Sequence, residues 1–220
     1  MNAVIFDIDG VLIDSFQAHF KSWKKMGSEY NKIVTETMFV ETFGRTSREV
    51  IREWWGDTLP IYQAASMNER KEKIYRDILK ENFPLMDGAM DLIDSIHQSG
   101  FAMAIGSSGP PLNVELVLKT LDPLSRFSAV VSGADVNLGK PDPQVFQVAA
   151  DRLGINPKSC AVIEDSPAGI AAAVAAGMTS IALVGTVSAD VLTEADLVVQ
   201  SLREITPNQI SELIHRQRLR

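Results

Sequence analysis

Six short runs rich in β-forming residues most constrain what this chain can become: Ala3–Phe6, Ala102–Gly106, Ala129–Ser132, Ala161–Ile163, Ser180–Val184 and Leu197–Val199. From Phe101 onward they alternate with helix-length segments. That alternation predicts βαβ units, hence an α/β fold whose parallel sheet is covered by helices on both faces. Boundary signals agree. Asp142-Pro143 puts an acid cap and a first-turn proline ahead of Gln144–Leu153, which Gly154 closes. Ser166-Pro167 opens an Ala-rich helix that runs to Gly177, and a helix over Ala89–Ser99 ends at Gly100.

The stretch from about Ser15 to Asn82 breaks this pattern. It has no convincing strand and is rich in Lys, Glu, Arg, Trp and Met. His19–Lys25, Arg48–Trp55 and Asn68–Lys80 read as amphipathic helices. Their place after the first strand predicts a helical cap inserted into the core: residues 1–14 and 84–220 form the core, and 15–83 the cap. Hinges are expected near Ile13–Phe16 and Asn82–Leu85. The packing of Trp23, Trp54 and Trp55 in a core of that cap is favoured over a role in binding.

Composition narrows the function classes. With 45% hydrophobic and 22% charged residues, the chain is expected to pack as a globular protein. A formal net charge of −7 without a Lys/Arg block argues against nucleic acid or an anionic membrane as partner. A substrate phosphate therefore needs a local positive pocket. The single cysteine, Cys160, suits a reducing compartment. Met1-Asn2 passes directly into an apolar strand, so no signal peptide is expected. No apolar run approaches the ~20 residues of a membrane span, and the expected location is the cytoplasm.

Four segments carry chemistry. The first strand ends abruptly in Asp7-Ile8-Asp9-Gly10. Acids there lie at the carboxyl edge of the sheet, where ligands of open α/β folds bind. Close carboxylates stay ionised only near a cation, or else one takes a proton. The run Cys160–Ile163 likewise ends in Glu164-Asp165-Ser166, although Asp165 or Ser166 could simply cap the next helix. Oxygen ligands gathered at one edge suit Mg²⁺. Ala104-Ile105-Gly106-Ser107-Ser108-Gly109 ends in hydroxyls and backbone N–H groups able to hold phosphate oxygens. Lys140, fixed between Gly139 and Pro141, can reach the same edge and offset the acids. No Ser/His/Asp arrangement competes, because the only histidines are His19, His97 and His215.

The order Asp7-x-Asp9-Gly10-Val11-x-x-Asp14, then Ser107, Lys140-Pro141 and Glu164-Asp165, resembles the haloacid dehalogenase superfamily over nearly the whole chain. It is most similar to the branch of β-phosphoglucomutase and its phosphatase relatives. That resemblance implies a Rossmann-like core with a helical cap. It also implies that Asp7 attacks phosphorus to form an aspartyl phosphate, that Asp9 is the general acid/base, and that Ser107 and Lys140 hold the phosphoryl group. Mg²⁺ would be bound by the Asp7 carboxylate, the Asp9 backbone oxygen and Asp165, with Glu164 nearby. An acid at Asp9 favours phosphate esters, whose alkoxide leaving group needs a proton.

In the cap, His19-Phe20-x-x-Trp23-Lys24, Gly44-Arg45-Thr46-Ser47-Arg48-Glu49 and Lys71 resemble mutase segments, which marks His19, Arg48 and Lys71, with Ser108 in the core, as expected substrate contacts. Ser107-Ser108-Gly109-Pro110-Pro111-Leu112 departs from the mutase pattern and looks more like a phosphatase. The expected activity is thus Mg²⁺-dependent hydrolysis of a small phosphorylated metabolite, a sugar phosphate being favoured, with β-phosphoglucomutase as the alternative. A non-catalytic phospho-acceptor also uses an acid pocket and a lysine, but has no need of an inserted lid.

Overall fold

A computed structural model of the protein describes residues 1–42, 45–122 and 125–219. The chain divides into two compact units, Met1–Asp14 with Leu85–Arg220, and Ser15–Pro84.

The larger unit is built on a six-stranded sheet. In chain order its elements are β1 (Ala3–Phe6), α5 (Ala89–Gln98), β2 (Ala102–Gly106), α6 (Pro111–Leu121), β3 (Ala129–Val131), α7 (Gln144–Leu153), β4 (Cys160–Glu164), α8 (Pro167–Ala175), β5 (Thr179–Leu183), β6 (Leu197–Val199) and α9 (Pro207–Arg218), with α1–α4 belonging to the smaller unit. The strand order is β3-β2-β1-β4-β5-β6, and every pairing is parallel. This is the doubly wound, Rossmann-like order, in which the chain reverses direction across the sheet between β1 and β4. All four residues of β1 and all five of β4 are buried, as strands covered on both faces require. On one face, Ile5, Ala104 and Val162 pack with Phe146 and Ala149 of α7 and Ala172 and Ala173 of α8.

The expected strands are all present: Ala3–Phe6, Ala102–Gly106 and Leu197–Val199 keep their bounds, and the other three shift by a residue. The run to Ser132 stops at Val131 because the Ser132 N–H and hydroxyl turn to the Asp135 carboxylate, at 2.8 and 2.7 Å. Helix α7 begins at Gln144 rather than at Pro143, yet Asp142 still accepts the Gln144 N–H at 2.9 Å. Gly154 then closes the helix in the left-handed region, φ +68°. Helix α5 ends one residue short of Ser99.

The smaller unit contains α1 (Phe16–Glu29), α2 (Glu36–Thr42), α3 (Ser47–Trp55) and α4 (Ile61–Glu81). Its own core gathers Trp23, Met26, Phe39, Val50, Ile51, Trp54, Met67 and Ile74. Trp23 meets Trp54 edge to face at 5.1 Å, and Trp55 packs against the same core. The expected packing role of the three tryptophans therefore holds. Thr46 and Glu49 form a reciprocal capping box that starts α3. Part of the Gly44–Glu49 segment thus has a plain folding role; Gly44 itself lies outside the described residues. Among the described residues, no helix is long and apolar enough to cross a membrane.

Candidate active site

The strand register puts the acids side by side. Phe6 is level with Ile163, and the Asp7 N–H donates to the Ile163 carbonyl at 3.0 Å. Asp7 therefore leaves β1 beside Glu164, the last residue of β4, at the point where the sheet reverses. Asp7, Glu164 and Asp165 each offer an oxygen, and these oxygens lie within 4.8 Å of one another.

Lys140 reaches this group from the loop before α7. Its ammonium donates to Asp7 Oδ1 at 2.6 Å and to Glu164 Oε1 at 2.7 Å. Phe146, at the start of α7, lies under it with the ring centre 4.9 Å away. A surface role for this lysine is thus excluded.

Glu164 is the best-anchored acid. Its second oxygen accepts the Asp165 and Ser166 N–H groups, both at 2.7 Å, and the Ser166 hydroxyl at 2.9 Å. Ser166, rather than Asp165, is the cap of α8 and accepts the Gly169 N–H at 3.1 Å. Gly169 has to be small, since a Cβ there would overlap the Glu164 carboxylate. Asp165 instead accepts from the Thr186 hydroxyl. Gly10 sits at φ +78°, and a Cβ on it would fall 1.9 Å from Asp165 Oδ2. The glycine after the first acid pair is therefore needed for its backbone angle and for space.

Burial and mutual repulsion act on the charges of these groups, and Lys140 offsets them unequally. Burial, followed by the neighbouring Glu164 and Asp9 charges, pushes the Asp7 carboxyl up to about 7, although Lys140 opposes this. Burial together with Glu164 and Asp7 also drives Asp165 well above the carboxylate range. Burial works against the Glu164 charge too, but Lys140 and the Ser166 donors outweigh it and hold this group below its ordinary value. Burial of Lys140 is likewise outweighed by Asp7 and Glu164, so it stays firmly protonated.

Ser107 follows β2, buried, and its Oγ accepts the Gly109 N–H at 3.0 Å. A Cβ placed on Gly109 would stand 3.1 Å from Ser107 Oγ and 3.9 Å from Asp9 Oδ2, so these two side chains flank the same glycine. Asp9 is partly exposed, and Ser108 is exposed. Six of the expected residues thus gather at one sheet edge. In the smaller unit, Lys71 is buried with its ammonium 3.0 Å from His19 Nδ1, while Arg48 is exposed on α3.

Thr186 and Phe146 escaped the sequence reading. Thr186 follows β5 at the same carboxyl edge, and that position was the available signal.

The chain is similar to proteins of known family. A family model described as haloacid dehalogenase-like hydrolase matches residues 1–177. The chain is 31% identical over 186 residues to a phosphorylated carbohydrates phosphatase of Thermotoga maritima, covering 82% of this chain and 84% of the relative. It is 30% identical to a β-phosphoglucomutase of Bacillus subtilis, covering 100% of this chain and 98% of that one. Among solved structures, a HAD hydrolase, family IA, variant 3, of Entamoeba histolytica superposes with a TM-score of 0.89 at 27% identity, over 98% of this chain and 100% of the other.

Proposed function

The chain belongs to the haloacid dehalogenase-like hydrolases, and from that premise we propose that it is a Mg²⁺-dependent phosphatase of small phosphorylated carbohydrates, working through an aspartyl phosphate on Asp7. One observation carries the proposal. Asp7 leaves a buried strand at the reversal of the sheet, is gripped at 2.6 Å by a lysine whose side chain is 9% exposed, and belongs to a three-acid cluster. The Thermotoga maritima relative, by its name, supports the carbohydrate class.

The residues fit a magnesium ion. Hard carboxylate oxygens share one ammonium, and the raised Asp7 and Asp165 groups call for a further positive charge. Asp7, Asp165 and the Asp9 backbone oxygen would hold the ion, with Glu164 organising the group from beside it. When bound, the ion supplies charge neutralisation for the phosphoryl oxygens.

The chain's own groups then account for the reaction. An Asp7 oxygen attacks phosphorus as the bond from phosphorus to the sugar oxygen breaks, and Asp9 gives its proton to that oxygen. Asp9, now ionised, takes a proton from water as the water attacks phosphorus; the bond to Asp7 breaks and phosphate leaves. Covalent catalysis divides one displacement into two in-line steps. Lys140 fixes the nucleophile and offsets phosphoryl charge. Because the Ser107 oxygen already accepts the Gly109 N–H, its own O–H is the group it offers to phosphate. We assign substrate choice to His19, Arg48 and Lys71 of the Ser15–Pro84 unit, acting as a cap, and to Ser108.

The test is a panel of phosphorylated metabolites with Mg²⁺, scored for released phosphate. A second reading, β-phosphoglucomutase, draws on the match to the Bacillus subtilis enzyme over the whole chain. It differs only in passing the phosphoryl group to a sugar hydroxyl instead of water. Bisphosphate-primed conversion of β-glucose 1-phosphate without phosphate release would favour it.

Metal binding is expected to change the pH dependence of stability. Asp7 has a folded-state pKa of about 7, above its unfolded value. The metal-free fold therefore retains a proton that the unfolded chain has lost, and its stability falls as pH rises from the unfolded pKa through about 7. Mg²⁺ competes with that proton, so its stabilisation should grow over the same window. At a concentration 100-fold above Kd it should reach about 2.7 kcal/mol. Thermal unfolding at pH 5 and pH 8, with and without Mg²⁺, checks this. An equal Mg²⁺ effect at both values would contradict it.

A further inference from the structure

A second buried charged cluster is built from α1, α3 and α4 of the smaller unit. Lys71 is 2% exposed and Glu72 6% exposed, although they are neighbours on α4. The Lys71 ammonium donates to Glu72 Oε1 at 2.9 Å. The same oxygen accepts the Ser47 hydroxyl, from the first residue of α3, at 2.8 Å. The ammonium also lies over the Trp23 and Tyr75 rings, 5.3 and 5.4 Å from their centres. It also meets His19 Nδ1 at 3.0 Å, and the His19 ring is stacked on Tyr75 with centres 4.0 Å apart.

An ammonium has donors and no acceptor. At 3.0 Å it leaves His19 Nδ1 one role, that of acceptor, so the ring proton sits on Nε2. We propose that Glu72 is a positioning residue: anchored by Ser47, it holds Lys71, and through Lys71 it fixes His19 as a ring that accepts at Nδ1 and donates from Nε2. Glu72 faces the Lys71 ammonium at 2.9 Å, so the substrate group assigned to this side of the unit is a sugar hydroxyl and not a second phosphate. The substrate side of the inference rests on the reading that His19 faces the sugar; the positioning side does not.

The experiment uses the full chain labelled with ¹⁵N-histidine. His19 signals are assigned by loss in His19→Gln, because the chain has two other histidines, His97 and His215. Wild type should show an unprotonated Nδ1 and a protonated Nε2. Glu72→Gln should give mixed tautomers, and Ser47→Ala, which keeps the charge pair, a smaller change in the same direction. Glu72→Asp should recover part of the wild-type pattern. With a sugar phosphate, Glu72→Gln should raise KM by about tenfold, as for a weakened hydrogen bond to a charged group, with little change in kcat. With p-nitrophenyl phosphate, which has no sugar hydroxyls, KM should hardly move. If Glu72→Gln does not fold, Ser47→Ala carries the test alone. A protonated Nδ1 in the wild type, or an unchanged His19 pattern in the folded variants, overturns the inference whatever the activity. A changed pattern with an unchanged KM upholds the positioning role and removes His19 from the substrate site.

Discussion

Asp7→Asn is expected to abolish turnover, by about 10⁴-fold or more, as when a covalent nucleophile is lost. The fold should survive. The amide oxygen can still accept from Lys140, which lies 2.6 Å from the present carboxylate. The substitution also removes one acid from a crowded group whose burial, and then mutual repulsion, raise the Asp7 pKa to about 7. Metal-free Asp7→Asn should therefore unfold no earlier than wild type at pH 8, while the Mg²⁺-induced rise in Tm shrinks because a ligand is gone. Phosphate release, trapping of labelled phosphoprotein and thermal unfolding give three independent readouts. Retained phosphatase activity in a folded variant would rule out the covalent route.

Asp9→Asn should separate proton transfer from metal binding. General acid–base catalysis typically contributes about 10²–10⁴-fold, and a loss of that size is expected with an alkyl sugar phosphate. An aryl phosphate, whose leaving group needs little help, should lose much less in the phosphorylation step. Dephosphorylation should suffer equally for both, because the attacking water is the same. Mg²⁺ affinity should fall only slightly, since the proposed contact uses the Asp9 backbone oxygen. The position of the side chain supports this division. Its Oδ2 would lie 3.9 Å from a Cβ placed on Gly109, and the three-acid group comprises Asp7, Glu164 and Asp165. Single-turnover rates with both substrates, alongside Mg²⁺ titration, decide the matter. Equal phosphorylation losses, or a collapse of Mg²⁺ binding, would make Asp9 a metal ligand instead of an acid.

What was legible in the sequence had a local cause. Buried parallel strands must be apolar, so an acid ending one of them stands out: Asp7 after Ala3–Phe6, and Glu164 at the end of Cys160–Glu164. Helix boundaries were readable for the same reason, because Ser166 and Gly154 act within a few residues of themselves. What was hidden depended on partners distant in the chain. Thr186 looks like loop material until β5 lies beside β4 and brings it to Asp165. Lys71-Glu72 looks like two solvated helix charges, yet both are buried, and they meet Ser47 and His19 from two other helices. Periodicity assigns such residues to a helix but does not say which face a neighbouring helix will cover.

The point at which the smaller unit leaves and re-enters the core bears on how such proteins diversify. Ile13 pairs with Leu85 as an antiparallel bridge, and the Met86 N–H donates to the Leu12 carbonyl at 3.0 Å. The two ends of the excursion are thus fastened together by the core itself. Chain added beyond such a clasp costs little, since each doubling of a closed loop adds only about 0.6 kcal/mol. The catalytic strands can then keep their register while everything between Asp14 and Leu85 is lengthened, trimmed or exchanged. If that unit selects substrate as proposed, a lineage with this clasp inherits chemistry and selectivity as separate parts.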